Sequence, residues 1–292
     1  MDTIGSLQTQ VVLDLAKQTA WGAAKILRAY YRGETPEGEG LDLNVQEGKD
    51  GPVTAADLAV NQYILKQFQP ALPASEFGYL TEESYKASDA NKVFTEPWVW
   101  VIDPLDGTRD FIEKTDEYAI HLALTHAQRP VLSVVALPEF EQLYYAVKGS
   151  GTFVEDKAGN ISPVKASDRN TLEELALVVS RTHRDDRFKQ FLTQYPVQKQ
   201  VHAGSVGFKI VTILQQKADV YISLSGKSAP KDWDMCAPEL ILTEAGGQFT
   251  QSDGSPLRYN TGDISQWGCL IASNGKCQAS LCQAAETLLK QV

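Results

Sequence analysis

Two carboxylates three residues apart, Asp103 and Asp106, close an apolar run in WVIDPLDGTRDF, residues 100–111. The run reads as a buried strand, and Pro104-Leu105 as the turn that leaves it. Carboxylates packed this closely repel each other unless a divalent cation lies between them. Mg²⁺ suits such a pair, because it takes a few carboxylates, some waters and a substrate's own phosphate oxygens. Asp106-Gly107-Thr108 could then open a helix or tight turn whose backbone N–H groups meet a phosphate oxygen. Asp-Pro and Asp-Gly are also ordinary turn signals, and Asp106 could simply cap a helix.

Three further segments carry acidic groups in suggestive places. TEES, residues 81–84, follows the apolar FGYL and contains Glu82 and Glu83, which would equally suit a solvated acidic loop. DWDMCAPELILTEAGG, residues 232–247, sets Asp234 at the start of an apolar helix, where a carboxylate also offsets the helix dipole. PVTAADLAVNQY puts Asp57 three residues after Thr54, a spacing that resembles a capping box.

Taken together and in this order, WVIDPLDGT and WD…A…EAGG resemble the inositol monophosphatase-like phosphatases. That superfamily is Mg²⁺-dependent and lithium-sensitive, and also holds fructose-1,6-bisphosphatase and the 3′(2′),5′-bisphosphate nucleotidases. The resemblance runs from about Asp57 to Gly247 and implies a layered α/β/α/β/α sandwich. It makes Glu82, Asp103, Asp106 and Asp234 metal carboxylates, with the backbone carbonyl of Leu105 as a further ligand for two or three Mg²⁺ ions. Thr108 and Asp57 match the family's hydroxyl–carboxylate pair, which helps deprotonate an attacking water. Catalysis would be in-line, without a phosphoenzyme, and mostly positioning and electrostatics.

Two segments bear on the substrate. VVSRTHRDD carries Arg181 and His183 just after a strand, and HAGSVGFKI carries Ser205 and Lys209 at the start of a helix. A polar surface loop and a solvated helix position would explain His183 and Lys209 without any ligand. Their patterns nevertheless resemble the bisphosphate nucleotidase branch, as does KDWDMCAPELIL. In that branch the histidine region contacts the nucleotide and the lysine holds its second phosphate. The resemblance therefore implies substrate contacts at Gly107, Thr108, Arg181, His183, Ser205, Lys209 and Asp234, with His183 against the base or sugar. Lys227 and Lys231 lie in the loop before Asp232 as additional cations. The expected reaction converts 3′-phosphoadenosine 5′-phosphate to AMP and phosphate. An inositol monophosphatase, a broad sugar-phosphate phosphatase and a non-catalytic phosphonucleotide sensor remain alternatives.

The elements that must position these groups follow from hydropathy. Leu7, Val11, Leu15, Ala23, Leu27 and Tyr30 recur at helical spacing, which predicts one long helix ending near Gly33. Residues 33–52 are rich in Gly, Glu and Asp and read as a lid-like loop. A second helix is expected from Thr54, with Ile64, Leu65 and Phe68 inward. WVWVID, YAIHLALTH, VLSVVALP, QLYYAVKG and GTFVED predict an antiparallel meander. LALVVS, ADVYIS and GCLIAS then read as strands alternating with helices at 185–195, 206–216, 235–245 and 276–291, an α/β pattern. A soft division near residue 160 would separate an N-terminal metal-binding half, 1–160, from a C-terminal half, 161–292, that completes the site.

The chain has 292 residues, a net charge of −10 and 43% hydrophobic residues. Its acidity argues against nucleic-acid polymers and anionic membranes as partners, since the average field repels phosphate. A small phosphorylated substrate would need metal ions or local cations. No GxxxxGK[ST] run is present, which excludes a P-loop hydrolase. The four cysteines form no CxxC pair, and Cys236 and Cys269 lie in apolar runs, so a reduced cytoplasmic setting is expected. The N-terminus lacks the basic start and unbroken apolar centre of a signal peptide, and no run is long enough to span a membrane. A monomer or homodimer is expected.

Overall fold

The computed structural model describes residues 2–34, 43–47, 52–85, 91–181 and 186–290, the side chain of Arg187 excepted. Most of the expected lid, residues 33–52, and His183 lie outside the described residues. Two short ribbons are formed by β1 (Thr3–Ile4) with β2 (Leu7–Gln8) and by β3 (Gln46–Glu47) with β4 (Pro52–Val53). Helix α1 (Thr9–Arg32) lies between them in sequence. Helix α2 (Ala55–Ala71) leads to β5 (Phe77–Thr81) and β6 (Trp98–Asp106), with the short α3 (Thr108–Ile112) directly after. Strands β7 (Ala119–His126), β8 (Arg129–Leu137), β9 (Gln142–Val147), β10 (Thr152–Asp156) and β11 (Ile161–Val164) follow. The rest alternates as β12 (Ala176–Ser180), α4 (Asp186–Gln194), β13 (Lys199–Ala203), α5 (Val206–Leu214), β14 (Val220–Leu224) and α6 (Asp232–Glu244). Strands β15 (Gln248–Gln251) and β16 (Cys269–Ser273) and helix α7 (Gln278–Leu289) complete the chain.

The larger sheet has seven strands in the order β11-β10-β9-β8-β7-β6-β5, antiparallel throughout except for the parallel β5–β6 pair. The smaller has five, in the order β13-β12-β14-β16-β15. Three apolar clusters glue five layers. Leu27, Val60, Phe68, Trp100 and Ile102 join α1 and α2 to one face of the larger sheet. Val99, Val101, Ile210, Met235 and Tyr221 join its other face to α5, α6 and the inner face of the smaller sheet. Val179, Phe191, Ile222, Ile271 and Leu281 join the outer face of that sheet to α4 and α7. Because both sheets are covered on both faces, their central strands are apolar at almost every position and show little alternation.

Local rules explain the helix ends. Gly33 terminates α1 at φ 65°, the left-handed conformation that a non-glycine residue adopts only at a cost. The inner stripe of α1 is Val12, Ala16, Ala20, Ala23, Leu27 and Tyr31. It is rotated from the expected face, so Val11 is 52% exposed, and Leu7 belongs to β2. In α2, Ile64 and Phe68 are buried as expected while Leu65 is half-buried. The division expected near residue 160 falls in the turn of the β10–β11 hairpin, so the larger sheet continues to Val164.

Candidate active site

Three helix N-termini, those of α2, α5 and α6, meet the end of β6. The meeting point depends on one irregularity. Asp103 pairs with His121 and Asp106 with Ala119, so three steps on β6 face two on β7. In a regular strand, residues three apart point to opposite faces. The extra residue, a β-bulge containing Pro104, returns Asp106 to the face that carries Asp103. Proline is tolerated there because the bulge interrupts the ladder. Leu105 points the other way, into the α1–α2 cluster.

Asp103, Asp106 and Asp234 each offer an oxygen within 4.8 Å of the other two. Asp234 arrives from the first turn of α6, where its carboxylate accepts a 2.6 Å hydrogen bond from the Lys231 N–H. Asp103 is 1% exposed, and its Oδ1 accepts from the Leu105 N–H at 3.0 Å. Burial, then the charges of Glu82, Asp106 and Asp234, push its carboxyl well above the usual range. Burial and Asp234 do the same to Glu82, which stands beside Asp103 but outside the mutual group of three. Burial raises Asp234 to about 6 and, with the charge of Asp57, Glu83 to about 7. Asp106 behaves differently. Burial alone would raise it, but His121, the Gly207 N–H and Lys209 outweigh that and hold it below the ordinary value.

Beside the carboxylates lies a second constellation. The Thr108 hydroxyl is 3.2 Å from both Asp57 Oδ1 and the Leu105 carbonyl. Asp57 Oδ2 accepts from the Thr54 N–H at 2.7 Å and the Thr54 hydroxyl at 2.5 Å. The two readings of Asp57 therefore coincide: it completes the capping box of α2 and also meets Thr108. Fixing Oδ2 on the cap leaves Oδ1 for the hydroxyl. Burial raises the Asp57 carboxyl despite these hydrogen bonds, so it holds a proton more readily than a surface aspartate.

Gly107 has φ 89°, and a Cβ there would lie 2.7 Å from the Cβ of Ser205. Glycine is thus required twice over, by conformation and by the close approach of the α5 start. Ser205 caps α5 by accepting from the Phe208 N–H at 3.2 Å.

Lys209 does not project from a solvated helix face. It is 4% exposed, its ammonium bonds the Gly204 carbonyl, and Asp106, Asp110 and Glu117 surround it. The reason is that α5 fills the space between the two sheets, so its polar residues are buried with its apolar ones. Arg181, 34% exposed, pairs with Asp110 and Glu117. Glu117 also accepts from the Gly204 N–H at 2.7 Å. Lys227 is exposed, and Lys231 reaches the Ser265 hydroxyl at 3.3 Å. Sequence reasoning passed over Asp110, Glu117 and His121. A single ionisable residue inside the apolar strand YAIHLALTH was the available signal for the last.

The donors that converge are all oxygens, which fits a hard divalent cation. Buried carboxyls that raise one another are a costly arrangement unless such a cation is held. Among the described residues no helix is long and apolar enough to cross a membrane.

Residues 8–290 match the model of the inositol monophosphatase family. The chain is 30% identical over 210 residues to the 3′(2′),5′-bisphosphate nucleotidase CysQ of Salmonella typhimurium, covering 72% of this chain and 80% of that protein. It is also 30% identical over 246 residues to the same enzyme of Haemophilus influenzae, covering 82% and 84%. Among solved structures, the inositol monophosphatase from Anabaena superposes with a TM-score of 0.72 at 25% identity, covering 97% of this chain and 96% of that one. The chain belongs to the inositol monophosphatase family and is a metal-dependent phosphatase.

Proposed function

We propose that this member of the family is a Mg²⁺-dependent, lithium-sensitive 3′(2′),5′-bisphosphate nucleotidase, converting 3′-phosphoadenosine 5′-phosphate to AMP and phosphate. The observation that carries the chemistry is the meeting of Asp103, Asp106 and Asp234 beside the Thr108–Asp57 pair. The substrate class rests on similarity to the CysQ nucleotidases and on Arg181 at the rim, whose carboxylate partners Asp110 and Glu117 a second phosphate would replace.

Asp103, Asp106, Asp234 and Glu82, with the Leu105 carbonyl, would hold two or three Mg²⁺ ions. When bound, such ions neutralise charge on phosphoryl oxygens and acidify water. Thr108 donates to Asp57 Oδ1 and keeps a lone pair to accept from the attacking water. As the water's oxygen bonds to phosphorus, its proton passes to the Thr108 oxygen while the Thr108 proton moves to Asp57. The bond from phosphorus to the 3′-oxygen breaks in line, and the departing alkoxide takes a proton from solvent to become the 3′-hydroxyl of AMP. The raised Asp57 carboxyl suits that acceptor role. The N–H groups of the α3 start, at Gly107 and Thr108, face the phosphoryl oxygens. The second phosphate lies toward Arg181 and Ser205, where Arg181 can exchange Asp110 and Glu117 for a phosphate. Lys209 supplies charge from beneath. The four cysteines are all free, which fits a reducing, cytoplasmic compartment, with the enzyme acting as a monomer or homodimer.

Phosphate release with Mg²⁺ should be measured on 3′-phosphoadenosine 5′-phosphate, inositol 1-phosphate, fructose 1,6-bisphosphate and AMP. The bisphosphate nucleotide should give the highest kcat/KM. Arg181→Ala should lower that value about ten- to a hundred-fold, the worth of one charge-assisted contact, and leave inositol 1-phosphate nearly unchanged. Preference of the wild type for inositol 1-phosphate would replace the nucleotidase reading with an inositol monophosphatase.

A further inference from the structure

We infer that His121 is a positioning residue that locks Asp106 and the start of α6 into one arrangement, so that a divalent cation meets Asp106 and Asp234 already set. This rests on the reading of those two aspartates as cation ligands.

His121 lies in the middle of β7 and is 0% exposed. Its neighbours along the strand are Ile120 and Leu122, and Asp103 is directly opposite on β6. An imidazole placed there has no access to water, so its two nitrogens must be answered by protein. Nδ1 lies 3.1 Å from the carbonyl oxygen of Trp233, the residue before Asp234. A carbonyl only accepts, so Nδ1 carries a proton. Nε2 lies 3.1 Å from Asp106 Oδ2, within ion-pair range though not aligned as a hydrogen bond. One rigid ring thus spans the backbone before one proposed ligand and the carboxylate of another.

Gly207 closes the remaining side. Its N–H donates to the same Asp106 Oδ2 at 2.6 Å, and the Val206 N–H lies 3.2 Å from Oδ1. A Cβ at Gly207 would fall 2.3 Å from His121 Nε2, 2.8 Å from the Ala119 Cβ and 3.2 Å from Asp106 Oδ2. The ring is seated among β7, the α5 start and the α6 start, and all three bear on Asp106 or Asp234. Groups that orient a metal ligand typically carry about ten- to a hundred-fold in metal affinity.

The test is calorimetric titration of Mg²⁺ into metal-stripped protein, with kcat and half-saturating Mg²⁺ measured on the same samples. The variants are His121→Leu, His121→Gln, Gly207→Ala and Asp106→Asn. His121→Leu keeps bulk without a nitrogen and should weaken Mg²⁺ binding about ten- to a hundred-fold. Half-saturating Mg²⁺ should rise by the same factor, while kcat at saturating Mg²⁺ falls less than about threefold. His121→Gln places an amide where Nε2 sits but leaves the Trp233 carbonyl without its donor, so it should recover part of the affinity that His121→Leu loses. Gly207→Ala should weaken binding in the same direction as His121→Leu, by pushing the ring off the carboxylate. Wild-type affinity in His121→Leu, or an equal loss in a folded His121→Gln, overturns the inference by reducing His121 to packing. If His121→Leu does not fold, wild-type affinity in Gly207→Ala overturns it instead. Asp106→Asn separates the two levels. If it binds Mg²⁺ like wild type, the ligand reading of Asp106 fails. If it loses binding while His121→Leu and Gly207→Ala keep it, only the positioning role fails.

Discussion

Asp103 and Asp106 sit in one cluster, three residues apart, yet their surroundings are opposites. Asp106 takes two backbone N–H groups from the start of α5, faces His121 and has the buried Lys209 behind it. Asp103 takes a single N–H, from Leu105, and is otherwise surrounded by the carboxyls Glu82, Asp106 and Asp234. The fold neutralises one half of the cluster internally and leaves the other half to an added cation. The bare half is also where Asp57 adds its charge to those of Glu82 and Glu83. The chemistry proposed for Thr108 and Asp57 therefore belongs beside the bare half, and the structural support beside the neutralised one.

The largest effect should come from the pair at the bare half. Thr108→Ala and Asp57→Asn should each lower kcat on the order of a hundred- to ten-thousand-fold while KM moves little. Asp57→Asn should also cost about 1 kcal/mol of stability, because the capping box of α2 is damaged. Steady-state kinetics showing a raised KM with kcat unchanged would leave Asp57 with its capping role alone.

Next in size is a contrast in sign. In metal-free protein, Asp106→Asn leaves His121, Lys209 and two N–H groups without their carboxylate, and should destabilise by about 3 kcal/mol. Asp103→Asn removes a like charge from a crowded site and should be neutral or stabilising by about 1 kcal/mol. Denaturant unfolding in EDTA measures both, and equal destabilisation would erase the distinction between the halves.

The pH dependence sharpens the same point. Asp103 and Glu82 are raised, Asp234 to about 6 and Glu83 to about 7. A raised carboxyl favours the folded state while protonated, and that contribution disappears as pH climbs through the folded-state value. In EDTA, stability should therefore decline by several kcal/mol as pH rises from about 4 to about 7. Asp106, lowered, works in the opposite direction at the acid end. Saturating Mg²⁺ should abolish the decline, because the cation takes the place of the protons. A melting temperature that stays flat between pH 5 and pH 7 in EDTA would contradict the bare-half description.

The smallest effect concerns monovalent ions. LiCl should inhibit at concentrations where matched NaCl does nothing, since a small cation can enter a cation position without supplying its full charge. Equal inhibition by the two salts would identify ionic strength as the cause.

Much of the fold was legible because burial on both faces leaves long apolar runs. WVWVID, YAIHLALTH, VLSVVALP and QLYYAVKG each became a strand of the larger sheet. Strands β11, β13 and β15 were not, since KQVHA and ISPV are short and polar, and edge strands have little to bury. Helix α1 was legible in extent, from its period and Gly33, but not in rotation. Its inner stripe is largely alanine, whose small side chains register weakly in a hydropathy pattern while allowing close helix packing.

By itself the sequence determined the chemistry available: acidic residues flanking Pro-Leu and Gly-Thr, a T-x-x-D helix start, and Asp234 ahead of an apolar helix. Those depend on local propensity and residue type, which travel with the chain. Tertiary structure decided which of them meet. Only pairing of β6 with β7 creates the bulge that turns Asp106 to the side of Asp103. Only the packing of α5 between two sheets buries Lys209 and brings Gly207 against His121. The opposite shifts of two aspartates three residues apart come from neighbours remote in sequence, His121, Gly207 and Lys209 about Asp106 and Glu82 and Asp234 about Asp103, since electrostatic energy depends on distance in space and on exclusion of water, neither of which is written in local sequence.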